Sequence, residues 1–333
     1  MNNVKLITRK KNIGDKSVTS TYLDIIMKSL SKVDFSINRR NILVFDECKI
    51  AFKYVFFSNN DIYIWIQGIV PEEALLQGYS KIRYYMHSLI EYIVLKKAKF
   101  VFFCSEEMKS HYERKYGLVF HNYFIMPCFN ELSVDTFAFL NKDKYSSNVF
   151  AYIGSLHAWQ CFDKTLELYK KIEIESNNNT KLLVCTSDCD SALNKITKSR
   201  IVNFEVKFVN PSELGHLLNQ VKYGFVLRDN CEVNRVATPT KISNYLSHGV
   251  IPIYSDCLKS FDSINKNSNG FGIVCNTNEI DEGVKRIIKS LSEDFNFKSV
   301  EEWCNFIFDT YYNRDKYIID ISTKINKLYN SQL

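Results

Sequence analysis

The residues of this chain best suited to chemistry lie between positions 227 and 256, which read Leu-Arg-Asp-Asn-Cys-Glu-Val-Asn-Arg-Val-Ala-Thr-Pro-Thr-Lys-Ile-Ser-Asn-Tyr-Leu-Ser-His-Gly-Val-Ile-Pro-Ile-Tyr-Ser-Asp. Two cations, Arg228 and Lys241, bracket a loop that also carries Asp229 and Glu232. Pro239 suits the first turn of a helix because its missing N–H has no partner to lose there. Thr238 is then the expected cap, and the N–H groups of Thr240 and Lys241 face the loop. Free helix N–H groups, the positive helix end and one or two cations can together hold a diphosphate. Gly249 is placed to end the helix, and residues 250–254 return as a strand. The plainer reading is an ordinary strand–helix–strand unit with solvated charges.

A second turn follows the apolar run 149–153, where Gly154-Ser155 leads toward a helix over 163–171 and the backbone can approach a phosphate closely at Gly154. Lys164 is the cation nearest to it in sequence. In the first half, residues 65–73 (Trp-Ile-Gln-Gly-Ile-Val-Pro-Glu-Glu) precede a helix carrying Glu91 and a strand that ends in Ser105. Ser105 is also a good helix cap, with Met108 in the first turn. Asp188-Cys-Asp190 has the form of a carboxylate pair for a divalent ion, but the string is common and falls where a helix from Ser191 needs a cap. No metal site is expected. The ten cysteines form no Cys-x-x-Cys pair and have no neighbouring His cluster, so they read as free, mostly buried thiols in a reducing compartment.

The elements that must position these groups are legible from periodicity. Short apolar runs at 4–8, 42–45, 62–66, 100–104, 123–126, 149–153, 181–185, 205–208, 223–227, 251–254 and 272–275 predict buried strands. Helical spacing appears over 21–31, 84–97, 106–115, 163–174, 211–220 and 241–247. Strand and helix alternate throughout, the pattern of parallel sheets wrapped by helices. A chain of 333 residues suits two domains, each expected to be doubly wound, with a boundary in the polar stretch 141–148. The segment 300–333 is helical in pattern and aromatic. No apolar run is long and uncharged enough to span a bilayer, and no secretory signal is evident, so a cytoplasmic location is expected. The net charge of +6 falls entirely in residues 1–150. Such a basic half suits anionic lipid headgroups or a phosphate-bearing acceptor, or is simply a solvated surface; no nucleic-acid motif accompanies it.

Three of these segments resemble glycosyltransferase family 4. The run from Pro239 to Pro252, Pro-Thr-Lys-x-x-x-Tyr-Leu-x-x-Gly-x-x-Pro, is similar to its donor-binding Pro-[Ser/Thr]-Lys-x-x-Glu-Tyr-Leu-Ala-x-Gly motif, with the match nearest bacterial surface-polysaccharide members. The Gly154 turn is similar to the family's Gly-Arg-Leu turn, with Ser155 in place of the Arg and Trp159-Gln160 where a Lys is expected. The segments around Gly68 and Ser105 look like its acceptor side. The resemblance implies an α/β chain of GT-B type: two Rossmann-like domains with a deep cleft between them and a C-terminal helix packed across both. The implied division is 1–146 on the acceptor side, 147–300 for the donor, and 301–333 packing back on the first domain.

The implied reaction moves a sugar from a nucleoside diphosphate sugar to a growing glycan, lipid-linked in surface-polysaccharide synthesis, with retention and without metal or cofactor. Peripheral contact with the inner face of an anionic membrane goes with it. Arg228, Lys241 and Glu232 are the implied catalytic set. Gly154, Ser155, Lys164, Pro239, Thr240, Asn244 and Tyr245 are implied at the donor, and Gly14, Gly68, Glu72, Glu91 and Ser105 on the acceptor side. The chain departs from the family where two glutamates eight positions apart are expected: Val236 and Asn244 stand there. An Asn amide still hydrogen-bonds a ribose diol but lacks the charge, and Glu232 or Asp229 would have to replace the other carboxylate. The competing readings are a non-catalytic sugar-nucleotide or glycan-binding protein and a sugar-nucleotide 2-epimerase. The six histidines match no motif of the epimerase.

Overall fold

A computed structural model describes residues 4–330 except 10–17, 37, 39, 58, 211, 294 and 295. The apolar runs form β1 (Val4–Ile7), β2 (Asn41–Phe45), β3 (Asn60–Trp65), β4 (Phe100–Phe103), β5 (Tyr123–Ile125), β6 (Val149–Ile153), β7 (Lys181–Cys185), β8 (Phe204–Lys207), β9 (Tyr223–Val226), β10 (Ile251–Tyr254) and β11 (Ile273–Val274). Each predicted strand is present, its ends moved by at most two residues. Every strand pairing is parallel. That accounts for continuous rather than alternating apolar runs, because helices cover both faces of a parallel sheet.

The chain divides into two units. The first comprises Met1–Asn130, Arg235–Thr238 and Asn313–Leu333, and the second Glu131–Asn234 and Pro239–Tyr312. In the first unit the strands lie in chain order, β1-β2-β3-β4-β5. The reversal expected of a doubly wound sheet is therefore confined to the second unit, whose order is β11-β10-β9-β6-β7-β8. The core of the first unit centres on Trp65, stacked on Tyr22 at 3.9 Å, whose hydroxyl donates to the Met126 carbonyl at 2.7 Å. In the second, Phe150 stacks with Tyr223 and Phe225 at 4.9 and 5.6 Å.

The polar stretch 141–148 is not where the units part. The chain from Ser133 onward is already tied to the second unit: Ser247 Oγ donates to the Ser133 carbonyl, Asp135 N–H to the Ser247 carbonyl and Tyr145 OH to the Gly249 carbonyl, each at 2.8 Å. The C-terminal segment is two helices rather than one. Phe297–Thr310 stays in the second unit, where Trp303 Nε1 donates to Ser268 Oγ at 3.0 Å. Arg314–Asn330 belongs to the first, where Arg314 pairs with Asp24 at 2.6 Å and Tyr329 OH meets Tyr63 OH at 2.9 Å.

Candidate functional site

In the second unit the chain winds outward from β6 through β7 to β8, then returns to place β9 on the opposite side of β6. The point between β6 and β9 is the topological switch, and the space beyond the C-terminal ends of these strands is where open parallel sheets bind ligands. Gly154 follows β6 and Arg228 follows β9, so both stand at that place. Gly154 has φ +121°, and a Cβ there would lie 2.9 Å from Lys241 Cε. Glycine is therefore required twice, for its backbone angle and for the Lys241 side chain that crosses it. Lys241 Nζ donates to Gln160 Oε1 at 2.6 Å and sits 4.6 Å from the centre of the Tyr152 ring.

Arg228 is 4% exposed, and Nη1 donates to the Leu227 carbonyl at 2.9 Å. No carboxylate pairs with Arg228 or Lys241 among the described residues. Burial depresses the Arg228 pKa, and burial followed by repulsion from Arg228 depresses that of Lys241. Two neighbouring cations that lack a counterion attract an anion of more than one charge. Asn244 adds an acceptor: its Oδ1 is buried with no hydrogen-bond partner. Two cysteines enclose the Arg228–Asp229 backbone. Cys161, in the left-handed region at φ 50°, accepts the Asp229 N–H at 3.2 Å, and Cys257 Sγ lies 3.6 Å from the Arg228 carbonyl.

Several expected roles change. The helix Lys241–Ser247 starts at Thr240, which makes no side-chain cap bond, while Thr238 Oγ1 accepts the Cys128 N–H at 3.0 Å in the first unit. Thr238 is thus an anchor and not the helix cap. Lys164 is held by Asp229 at 2.6 Å, which removes it as a free diphosphate ligand. Tyr245 is fully buried, covers Gly224 and donates to the Ala151 and Phe225 carbonyls at 3.3 and 3.4 Å, so its side chain is core rather than donor contact. The Ser155 carbonyl accepts Tyr152 OH at 2.7 Å. Pro239 and Thr240 lead into the Lys241 helix, half-buried. Glu232 opens the helix Glu232–Arg235. Asp188 accepts the Ser191 N–H at 3.3 Å as a helix cap. Gln160, the partner of Lys241, is not among the residues expected from the sequence; only its place after the glycine turn pointed to it.

The first unit has its own cavity of about 450 Å³, lined among others by Asp46, Gln67, Gly68, Glu73, His87 and Glu91. Asp46 follows β2 and accepts Thr8 Oγ1 at 2.7 Å through one carboxylate oxygen, while the other is buried without a partner. His87 and Glu91, four apart on the helix Lys81–Lys97, face the cavity together. That spacing, and the polar residue ending β2, are signals from which Asp46 and His87 could have been found. Glu91 accepts Tyr112 OH at 3.2 Å and Tyr116 OH at 2.8 Å, and burial raises its pKa to about 7. Burial, then Lys49 and Arg83, lower that of His87. Gly68 packs against the Glu73 carboxylate, which a Cβ would strike.

Glu72 takes part differently, paired with Lys115 at 2.8 Å and near His111 Nε2 at 3.5 Å, and it does not line the cavity. Ser105 caps its helix through the Met108 N–H at 3.1 Å and donates to the Val236 carbonyl at 2.8 Å, a structural role. Gly14 lies outside the described residues.

Solved structures share this architecture. S. aureus TarM, in a complex with fondaparinux, alpha-GlcNAc-glycerol and UDP, aligns with a TM-score of 0.62 at 14% identity over 93% of this chain and 59% of its own. WaaG, a glycosyltransferase involved in lipopolysaccharide biosynthesis, gives 0.64 at 10% identity over 95% of this chain and 99% of its own. A UDP-forming alpha,alpha-trehalose-phosphate synthase from Burkholderia vietnamiensis gives 0.63 at 9% identity, with 92% and 78% covered. The fold is GT-B. No family model and no curated protein matches this GT-B chain. It spans little more than half the length of TarM.

Proposed function

We propose that the protein is a glycosyltransferase that moves a sugar from a nucleoside diphosphate sugar to a hydroxyl of a growing glycan, lipid-linked in surface-polysaccharide synthesis, at the inner face of the cytoplasmic membrane. The observation that carries this reading is the pair Arg228 and Lys241, two neighbouring cations that have no carboxylate partner among the described residues, at the switch point of a Rossmann-like sheet. The bond from the anomeric carbon to the diphosphate oxygen breaks, and its electron pair leaves with the nucleoside diphosphate. The acceptor oxygen bonds to the same face of that carbon, and the hydroxyl proton passes to the departing phosphate oxygen. Arg228 and Lys241 stabilise the charge that grows on the leaving group, the role a divalent ion fills in other sites. Asn244 Oδ1 accepts a hydroxyl of the nucleotide sugar. Glu91, holding its proton close to neutrality, hydrogen-bonds the acceptor in the first unit.

Because several structures of this fold are named for UDP chemistry, UDP-sugars are the first donors to try. Purified protein should release UDP slowly from its proper donor and faster when glycan acceptors are added, and Lys241→Ala should abolish both. The second reading, a non-catalytic sugar-nucleotide-binding protein, is favoured by Val236, which is 3% exposed where the family has a glutamate. Tight binding of a nucleotide sugar with no release of nucleotide, with or without acceptor, would establish it instead.

A further inference from the structure

The cavity of the first unit carries more negative charge than its walls balance. Its volume of about 450 Å³ suits a small molecule, and its lining includes the carboxylates of Asp46, Glu47, Glu73 and Glu91. Of these four, Glu91 alone has a cation within reach among the described residues, Lys115 at 3.7 Å, and that ammonium sits closer to Glu72, at 2.8 Å. Asp46, Glu47 and Glu73 form no ion pair among the described residues. The basic groups of the lining do not supply the balance: Lys49 is exposed, and burial, followed by Lys49 and Arg83, holds His87 toward its neutral form. Asp46 is the most strongly unsatisfied. It is 5% exposed, Oδ2 accepts Thr8 Oγ1, and Oδ1 is buried without a hydrogen-bond partner. A buried carboxylate oxygen without a donor is destabilising, and an N–H or O–H of a ligand relieves it. The Gln67 amide, donating to the Asp46 carbonyl at 3.2 Å, fixes the backbone of that residue. Burial also raises the pKa of Glu73, the response of a carboxylate with no cation beside it.

These groups suit an organic cation. A phosphate or carboxylate in the cavity would meet Asp46, Glu47 and Glu73 as like charges. A metal ion needs several ligands converging on one point, and no such group exists among the described residues. Carboxylates set apart from one another, with Trp65, Ile66, Val70 and Ile90 as apolar wall, suit a ligand with a carbon skeleton and donors on more than one side. We propose that this cavity holds a sugar bearing a protonated amine, with the ammonium donating to Asp46 Oδ1, Glu47 and Glu73 supplying the surrounding negative charge, and His87 and Glu91 meeting its hydroxyls. The inference deepens the glycosyltransferase reading and rests on it only in making this sugar the acceptor. The acceptor is then an amino sugar with a free amine, in place of the phosphate-bearing acceptor that net charge alone allows.

The test is titration calorimetry of the whole chain with glucosamine, glucose, N-acetylglucosamine and glucose 6-phosphate. Glucosamine should bind about tenfold or more tighter than glucose or N-acetylglucosamine, the effect of one charge-assisted hydrogen bond, and glucose 6-phosphate should bind weakest. Asp46→Asn keeps the side-chain shape and an acceptor for Thr8 but removes the charge, and it should bring glucosamine down to the affinity of glucose. Glu73→Gln should weaken glucosamine severalfold and leave glucose in place. Thermal unfolding checks that each variant is folded, and if Asp46→Asn is not, Glu73→Gln decides. Equal binding of the amine and the neutral sugars, tighter binding of the phosphate, or an amine preference that survives in the folded variants overturns the proposal. Its failure is distinguishable from failure of the transferase reading. Transfer to neutral acceptors as fast as to amine-bearing ones removes the amine preference and leaves the transferase standing, whereas amine binding without any transfer keeps the site and removes its role as the acceptor's.

Discussion

Replacing Arg228 by methionine should make the ligand-free protein more stable and its response to nucleotide weaker. The guanidinium is 4% exposed, donates to one backbone carbonyl at 2.9 Å and has no carboxylate partner among the described residues. The groups whose charges it senses are Tyr152, Cys161, Cys257 and Tyr245, phenols and thiols that stay neutral at pH 7. Methionine keeps an unbranched side chain of similar reach and removes a charge whose desolvation the fold leaves uncompensated. Exchanges of buried ionic groups for apolar ones gain about 1–4 kcal/mol in favourable cases, and the retained carbonyl contact argues for the lower part, about 1–2 kcal/mol. For a unit of this size each kcal/mol moves the melting temperature by about 2–4 °C, so a rise of roughly 2–8 °C is expected.

Ligand closes that gap. At 100 times its dissociation constant UDP adds about 2.7 kcal/mol to the wild type. Loss of a desolvated charge contact costs about 2–5 kcal/mol of binding, a factor of about thirty or more in Kd, so the same UDP concentration adds under about 1 kcal/mol to the variant. Thermal unfolding with and without UDP, and titration calorimetry for Kd, measure both halves. A variant less stable than wild type without ligand, or one with an undiminished UDP shift, refutes the view of Arg228 as an uncompensated cation held for a diphosphate.

Glu91→Gln tests the other unit through pH. The folded carboxyl, with a pKa of about 7 against an ordinary value of 4.5, binds more protons than the unfolded chain between those values, so native stability falls as pH rises through that window. Urea titrations at pH 5 and 8 should show the variant gaining about 3 kcal/mol relative to wild type over that span. Gly154→Ala should cost about 1–3 kcal/mol through strain at φ +121°, and in calorimetry it should weaken UDP binding because the new methyl displaces Lys241. Lys164→Ala breaks a part-exposed ion pair and should change denaturation free energy by less than about 1 kcal/mol, leaving UDP affinity in place. Ser105→Ala, losing a helix cap and the Val236 carbonyl contact, should destabilise by about 1–3 kcal/mol with no effect on UDP Kd.

The strands inside each sheet were legible because a strand buried on both faces needs an unbroken apolar run, a local property of composition, while the edge strands, such as Val4–Ile7 and Phe204–Lys207, are only partly buried. The helices Val18–Ser31, Lys81–Lys97, Glu106–Tyr116 and Phe162–Glu175 were legible from their 3.6-residue spacing. The short helices Cys48–Ala51 and Val70–Leu76 were not, since one or two turns leave too little periodicity to read. Ser105 and Gly249 could also be read locally: a hydroxyl one residue before a helix and a glycine two residues after one act on neighbouring backbone groups, and Gly249 has φ +62°.

Tertiary structure alone decided which charges are paired. Lys164 and Lys241 look alike in sequence, yet Asp229 neutralises the first, 65 residues away, and the second meets the Gln160 amide oxygen and the Tyr152 ring with no carboxylate partner among the described residues. It decided that Tyr245, one helical turn from Lys241, fills the space over Gly224 instead of facing a ligand. It set the strand reversal that brings Gly154 and Arg228 to adjoining strands, and it turned the apolar face of Lys81–Lys97 outward. Composition and spacing along a chain determine elements, because those forces act over a few residues. Counterions, burial and exposure depend on residues far apart in sequence, and only packing brings those together.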